Sequence, residues 1–137
     1  MIITFILKKK PSLDPLITSG LDTVGVRMPS HPVARAILER LGVPFAAPSA
    51  NKFGKTSPTK AQHVRGDWPN QEVFIVDGGD SEFGLESTVL QVFEESPTEV
   101  RVEILRPGVV TETMIRKIFA DLSLAVQVIR KESSASP

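Results

Sequence analysis

Three short segments of the sequence combine small hydroxyl residues or glycine with an arginine or an asparagine beside a predicted strand. Residues 48–51 read Pro-Ser-Ala-Asn, residues 84–88 read Gly-Leu-Glu-Ser-Thr, and residues 105–108 read Leu-Arg-Pro-Gly. Small residues let a ligand approach the backbone, and hydroxyl and free N–H groups can hold phosphate oxygens. The segments therefore indicate anion binding, while a plain loop, a strand start and a surface turn are the respective structural alternatives.

Two arginines are placed by rigid backbone. Arg27 lies in a predicted strand between Gly25 and Pro29, and Arg106 ends a predicted strand directly before Pro107. A fixed guanidinium can hold a carboxylate through two parallel hydrogen bonds, and it can also hold a phosphate. The alternatives are a solvent-facing strand arginine at the first position and a surface turn at the second. Local sequence leaves both readings open.

Other kinds of site have little support in the sequence. There is no cysteine, which excludes disulfides and thiolate metal sites, and His31 and His63 have no ligand-spaced partners for zinc. Neither a Gly-x-Ser-x-Gly elbow nor a Walker phosphate loop is present. Residues 77–80, Asp-Gly-Gly-Asp, predict a tight turn, with cation binding as the alternative. Residues 1–7 are apolar but too few to span a membrane, which takes about 20 residues.

The elements that must position these residues follow from periodicity and turn signals. Strands are predicted at residues 2–8, 23–28, 43–47, 73–76, 88–93, 100–105 and 124–129. Helices are predicted at residues 31–41 with Ser30 as cap and Gly42 as stop, at 58–65 from a Ser57-Pro58 start, and from a Thr111 cap to about residue 120. Hairpins mixed with strand–helix–strand units predict an α/β domain, bordering on α+β, with a mixed sheet.

Length and composition fit one domain with a modest core. The chain has 137 residues, 41% of them hydrophobic and 23% charged. Residues 1–65 hold ten Lys/Arg and three Asp/Glu, a balance of +7, whereas residues 66–137 hold six and thirteen, a balance of −7. A basic half suits binding of phosphates or nucleic acid, and two solvated faces that happen to differ are the alternative. We expect a domain over residues 1–130 and the start of a linker or tail at 131–137.

Taken in order, the motifs resemble those of the YrdC-like family. The resemblance is carried by residues 23–29 (TVGVRMP), 48–51 (PSAN), 57–59 (SPT), 77–79 (DGG), 86–89 (ESTV) and 104–108 (ILRPG). Each motif is short, but the six occur in the family's order and cover nearly the whole chain. The resemblance implies a twisted, open mixed sheet with flanking helices, of which this chain would hold the C-terminal part, incomplete at both ends.

The resemblance also implies an activity. Members of this family make L-threonylcarbamoyl-AMP from threonine, bicarbonate and ATP, a nucleotidyl transfer that releases pyrophosphate and serves threonylcarbamoyladenosine formation in tRNA. ATP is then a substrate accompanied by Mg²⁺, and neither an organic cofactor nor a protein-held metal is expected. The expected macromolecular partners are tRNA or double-stranded RNA and the complex that transfers the threonylcarbamoyl group to tRNA, all in the cytoplasm, with no membrane partner.

The family's site residues carry over motif by motif. The residues expected to contact ATP or its adenylate product are Thr23, Ser49, Ser57 and Arg106. The residues expected to line the threonine pocket are Arg27, Ala47 through its backbone, and Ser87, while Asn51 is expected to shape its loop.

Two features of the family have no counterpart in the sequence. An N-terminal segment with a Lys-x-Arg motif that grips the triphosphate is absent, and a Lys-Tyr-Arg-His-Tyr-like linker would begin where the chain stops. We therefore expect the chain alone to be inactive and an exposed sheet edge to favour self-association. The alternatives are a non-catalytic YrdC-like RNA-binding or translation factor and the YrdC-like module of a hydrogenase-maturation carbamoyltransferase.

Overall fold

The structure contains a mixed sheet and three α-helices among the residues that it describes. The computed structural model describes residues 3–70, 73–81 and 86–131. The strands within them are β1 (Ile3–Lys8), β2 (Thr23–Arg27), β3 (Thr88–Ser96), β4 (Glu99–Arg106) and β5 (Ala125–Arg130). The helices are α1 (Pro32–Leu41), α2 (Ala61–Asp67) and α3 (Glu112–Asp121), with a 3₁₀ turn at Pro15–Thr18.

The sheet has the order β2-β1-β3-β4-β5. β1 runs antiparallel to β2 and parallel to β3, β3 runs antiparallel to β4, and β4 runs parallel to β5. The predicted α/β fold with a mixed sheet is confirmed. The antiparallel pair β3 and β4 is the predicted hairpin, and both strands extend further into its turn than their hydrophobic pattern indicated.

The chain divides into two compact units. One consists of the described residues up to Ser30 and from Ser87 onward, and it contains all five of these strands and α3. The other is His31–Glu86, which contains α1 and α2. Of the candidate site residues, the first unit holds Thr23, Arg27, Ser87 and Arg106, and the second holds Ala47, Ser49, Asn51 and Ser57.

The core of the first unit lies between the sheet and α3. Its buried members are Leu90, Val102, Ile104, Val110 and Ile115, and Ile3, Phe119, Val126 and Val128 pack against them. Alternate residues of a strand point to opposite faces, so this cluster identifies the sheet face that α3 covers. The predicted cap of α3 is confirmed, because Oγ1 of Thr111 accepts a hydrogen bond from the N–H of Met114 at 3.3 Å.

Thr88, the first residue of β3, is fully buried. Its hydroxyl donates to the carbonyl of Val110 and accepts from the N–H of Val110, each at 2.9 Å. A buried hydroxyl and two backbone groups are thus satisfied together. These bonds tie the start of β3 to the segment that leads into α3. The hydroxyl of Thr88 thus serves the backbone of the fold, in agreement with the strand-start alternative for this segment.

Two predicted strands do not form. Residues 43–47 and 73–76 have no strand structure, and most of their large side chains are exposed, Phe74 to 92%. Both segments are rich in apolar residues, which favours a strand locally. A strand also needs a neighbour that pairs with its N–H and C=O groups, and no ladder forms among the described residues of this unit.

Two predicted helix starts are also wrong. The N-cap of α1 is His31 rather than Ser30, because the residue before Pro32 is held extended by the proline ring while the proline suits the first helical position. α2 begins at Ala61, three residues beyond the predicted proline. The preceding Thr59 is bound elsewhere, since its carbonyl accepts a hydrogen bond from the N–H of Ser81 at 2.8 Å. The predicted stop of α1 at Gly42 is confirmed, with φ of 66°.

Candidate functional site

Four neighbouring strands each contribute one residue to a row of directly paired positions across the sheet. Thr4 lies opposite Arg27 on one side and opposite Val89 on the other, and Val89 lies opposite Arg106. Residues paired across neighbouring strands point to the same face. The side chains of this row therefore share one face, and it is the face opposite to that of buried Leu90, which α3 covers.

A β-bulge decides where Arg106 points. Leu90 pairs with Ile104, but the next pair is Val89 with Arg106, so Leu105 is an extra residue in β4. In regular pairing, Arg106 would share the buried face of Ile104 because side chains alternate with a period of two. The bulge moves Arg106 to the opposite face, where Arg27 lies.

Ser87 lies directly before β3, two residues from Val89 of this row, and is only 5% exposed. Its Oγ accepts hydrogen bonds from Nη2 of Arg27 at 2.8 Å and from Nη2 of Arg106 at 3.0 Å. Oγ1 of Thr4 lies 2.9 Å from the same atom. Two guanidinium groups from strands that are not neighbours thus converge on one buried hydroxyl.

The two arginines use different edges of their guanidinium groups. Arg106 holds the backbone carbonyl of Ser87 through Nε at 3.3 Å and Nη2 at 2.8 Å. Arg27 is exposed, and its Nε donates to Oγ1 of Thr4 at 3.0 Å. The Nε–Nη2 edge of Arg27 is therefore held by hydroxyl groups, and its Nη1 group forms no ion pair among the described residues. A guanidinium held along one edge offers a rigid pair of N–H donors along the other, which matches the two oxygens of a carboxylate.

The candidate loop of the second unit is held against the end of α2. Nδ2 of Asn51 donates to the carbonyl oxygens of Lys52 at 3.1 Å and Lys55 at 2.8 Å. Nζ of Lys55 lies 2.5 Å from Oδ1 of Asp67, and Nε1 of Trp68 donates to the carbonyl of Ala50 at 2.9 Å. The hydrogen bond from Lys55 lowers the pKa of Asp67. These contacts hold the loop in a single shape.

The remaining candidates from the sequence are Thr23 and three residues of the second unit. Thr23 starts β2, opposite Lys8, and Arg27 ends the same strand, so the two lie about 13 Å apart along it at the usual rise per residue. Ala47, Ser49 and Ser57 are exposed in the second unit. Residues 84 and 85 of the Gly-Leu-Glu-Ser-Thr segment lie outside the described residues. The helix end expected beside Ser57 is not there, because α2 begins at Ala61.

Thr4 belongs to the site, and sequence reasoning missed it. It lies in the middle of a run of apolar residues, which reads as an ordinary strand threonine. The signal that could have found it is register, since an antiparallel partner of Arg27 on β1 must share its sheet face.

Neither a metal centre nor a membrane span is found in the described part of the chain. No group of three or more His, Cys, Asp or Glu residues there could hold a metal ion. No helix in these residues is long and apolar enough to cross a bilayer.

The Asp-Gly-Gly-Asp segment forms the predicted tight turn, in which Oδ1 of Asp77 accepts from the N–H of Gly79 at 3.0 Å and Gly79 has φ of 88°.

Comparison with known proteins identifies the family. The model of the Sua5/YciO/YrdC family, described as "Telomere recombination", matches residues 2–108. The chain belongs to this family. The resemblance read from the six motifs is therefore confirmed, and the row of Arg27, Thr4, Val89 and Arg106 lies inside the matched range.

Relatives within the family are named as synthases. The chain is 46% identical over 121 residues to the threonylcarbamoyl-AMP synthase of Bacillus subtilis (strain 168), covering 88% of this chain and 34% of that protein. It is 40% identical over 129 residues to the synthase of Pyrococcus abyssi, covering 94% and 36%. The crystal structure of P. abyssi Sua5 complexed with L-threonine matches with a TM-score of 0.74 at 40% identity, covering 91% and 35%. The chain spans about a third of the length of these relatives.

Proposed function

We propose that this chain supplies the amino-acid carboxylate site of an L-threonylcarbamoyl-AMP synthase. The observation that carries the proposal is the convergence of Arg27 and Arg106 on the buried hydroxyl of Ser87. A carboxylate is the ligand that best matches a guanidinium fork fixed by its neighbours. The names of the relatives support a synthase over a hydrogenase-maturation carbamoyltransferase or a non-catalytic RNA-binding factor.

In the proposed reaction, threonine, bicarbonate and ATP yield threonylcarbamoyl-AMP and pyrophosphate. Arg27 binds the carboxylate of threonine through its outer edge, and Ser87 and the backbone of Ala47 are further proposed threonine-binding groups. The crystal structure of the P. abyssi relative with L-threonine supports this ligand. Arg106 contributes to both ligands, since it is proposed to contact the nucleotide and also holds Ser87.

We further propose a set of side chains that bind the nucleotide. Thr23, Ser49 and Ser57 supply hydroxyl groups for ATP or its adenylate, and Asn51 keeps the loop of Ser49 in shape. The described residues do not form a protein-held metal site, so Mg²⁺ would enter bound to the phosphates of ATP. We place the product in tRNA threonylcarbamoylation in the cytoplasm, with tRNA and the transfer complex as partners.

The proposal is tested by calorimetric titration of the chain with L-threonine. L-threoninol, which has the amine and the side chain of threonine but no carboxylate, is the matched ligand control. We expect measurable binding of L-threonine and at least tenfold weaker binding of L-threoninol, because a charge-assisted hydrogen bond is lost. Equal affinity for both ligands, or no binding of either, would contradict the proposed site.

A further inference from the structure

Thr4 connects the two groups that would meet the ligand. Its Oγ1 accepts a hydrogen bond from Nε of Arg27 at 3.0 Å and lies 2.9 Å from Oγ of Ser87. Thr4 is partly buried, and it is placed by strand pairing with both Arg27 and Val89. No role for Thr4 follows from the motifs of the sequence.

The direction of the bond between Thr4 and Ser87 follows from counting donors. A hydroxyl oxygen accepts two hydrogen bonds and donates one. Oγ of Ser87 already accepts from Nη2 of Arg27 and Nη2 of Arg106. The hydroxyl hydrogen of Ser87 must therefore be donated to Oγ1 of Thr4. Thr4 then accepts from both Ser87 and Arg27, so its oxygen orients both residues.

The orientation of Arg27 is the consequence that matters for binding. Nε and Nη2 define one edge of its guanidinium group, and Thr4 and Ser87 hold that edge at two points. An exposed arginine would otherwise sample several rotamers, and holding a long side chain in one of them has an entropic cost. Because the edge is fixed before a ligand arrives, ligand binding does not incur this entropic cost.

We propose that Thr4 is a positioning residue for Arg27, and through Arg27 for the carboxylate of the amino-acid ligand. The inference rests on the proposed threonine site. Thr4 itself makes no contact with the ligand in this account, and it acts by accepting from Nε–H of Arg27. Its contribution should therefore disappear when Arg27 is removed.

The test is a double-mutant cycle on L-threonine affinity, measured by calorimetry. Thr4→Val removes the hydrogen-bond acceptor and keeps the shape of the side chain, whereas Thr4→Ser keeps the acceptor. Arg27→Ala and the Thr4→Val/Arg27→Ala double variant complete the cycle. Thr98→Val is the matched control, since exposed Thr98 lies in the β3–β4 turn. Thermal midpoints of all variants report any change in folding.

We expect Thr4→Val to raise the Kd for L-threonine about three- to tenfold, the loss of one hydrogen bond. Thr4→Ser should stay within about twofold of the unaltered chain, and Thr4→Val should add less than about twofold in the Arg27→Ala background.

Unchanged affinity in Thr4→Val would overturn the role of Thr4 and leave the threonine site intact. Additive losses would also overturn it, by showing a direct contact with the ligand. An unaltered chain that binds no L-threonine would overturn both proposals.

A second measurement keeps the test decisive if Thr4→Val does not fold. Proton exchange at Nε of Arg27 can be followed by NMR in the unaltered chain, with the resonance assigned by its loss in Arg27→Ala. We expect slower exchange there than at Nε of Arg35, which is held only by a 3.5 Å ion pair between its Nη2 and Glu39. Equal exchange rates would show that Thr4 does not hold Arg27, and would overturn the inference.

Discussion

Arg27 and Arg106 come from β2 and β4, which are not neighbouring strands, and both donate to Oγ of Ser87, at 2.8 and 3.0 Å. The family resemblance implied different anions for them, threonine for the first and ATP for the second. The shared hydrogen-bond acceptor connects the two proposed binding groups, because both arginines donate to the same hydroxyl oxygen.

Substitution of each arginine should therefore give unequal effects on the two ligands. Arg27→Ala should weaken L-threonine binding about ten- to a hundredfold and leave ATP affinity nearly unchanged, because one charge-assisted contact is lost. Arg106→Ala should weaken ATP binding and also lower threonine affinity severalfold, because Ser87 loses two bonds to its carbonyl. Lysine at either position should restore only part of the affinity, since it lacks the guanidinium fork.

These affinities are measured by separate titrations with L-threonine and with ATP. The control is Arg130→Ala, since this arginine is 68% exposed and lies 3.3 Å from Glu112 at the other edge of the sheet. If both arginine variants weaken both ligands equally while remaining folded, the separate assignments are wrong and the residues serve one shared pocket.

Ser87 and Thr88 are adjacent, but their substitutions should separate binding from stability. Thr88→Val leaves two buried backbone groups of Val110 unpaired, and we expect the free energy of unfolding to fall by about 1–3 kcal/mol with unchanged threonine affinity. Ser87→Ala should have the smaller effect on unfolding, because Arg27 is exposed and its freed N–H group can bind water. It should weaken threonine binding more than Thr88→Val does.

Urea unfolding gives the free energies, and calorimetry of the folded variants gives the affinities. Thr98→Val again serves as the control for the loss of an exposed threonine hydroxyl. A larger loss of threonine affinity in Thr88→Val than in Ser87→Ala would contradict the division of roles.

Glu103 should make stability depend on pH in the acid range. The carboxylate is almost fully buried on β4, Lys131 lies 2.6 Å from its Oε2, and Arg101 pairs with its other oxygen. The hydrogen bond from Lys131, together with the charges of Lys131 and Arg101, lowers the pKa of Glu103 below its usual 4.5. Because the pKa of Glu103 is lower in the folded chain, the stabilisation from its ionised carboxylate is complete at pH values above its pKa in the unfolded chain. That stabilisation is lost as the pH falls through the pKa in the folded chain.

We therefore expect the free energy of unfolding to decline as the pH drops below about 4.5, and Glu103→Gln to remove part of that decline. Urea unfolding at a series of pH values measures it. Glu94→Gln, at an exposed position on β3 of the same hairpin, is the control. The same acid dependence in Glu103→Gln and the unaltered chain would rule out this carboxylate as a cause.

The edge of the sheet at β2 should promote self-association. One side of β2 is unpaired within the sheet, and Leu16 and Ile17 of the nearby 3₁₀ turn are 87% and 61% exposed. Unpaired strand edges and exposed apolar groups both favour contact between chains. We expect sedimentation velocity to show association that rises with concentration, and the Leu16→Lys/Ile17→Lys double variant to reduce it. Leu122→Lys, at an exposed leucine after α3, is the control, and a monomer at all concentrations would refute the expectation.

Local pattern predicted much of the fold. The β3–β4 hairpin, the Thr111 cap of α3 and the stop of α1 at Gly42 all depend on neighbouring residues, and all three formed as predicted. The two wrong strands, residues 43–47 and 73–76, have apolar composition without a pairing partner. Composition reports how well a segment would pack in a sheet, but whether a partner strand is available is a property of the whole chain.

The sequence alone determined which residue types could bind an anion, and Arg27, Ser87 and Arg106 were among the candidates that it offered. Only the tertiary structure decided that they meet on one oxygen atom and that Thr4 joins them. It also decided that Arg106 points away from the core, because Leu105 forms a bulge and shifts the register by one residue. Strand register depends on the partner strand, so a period of two counted along β4 alone would have placed this arginine on the buried face.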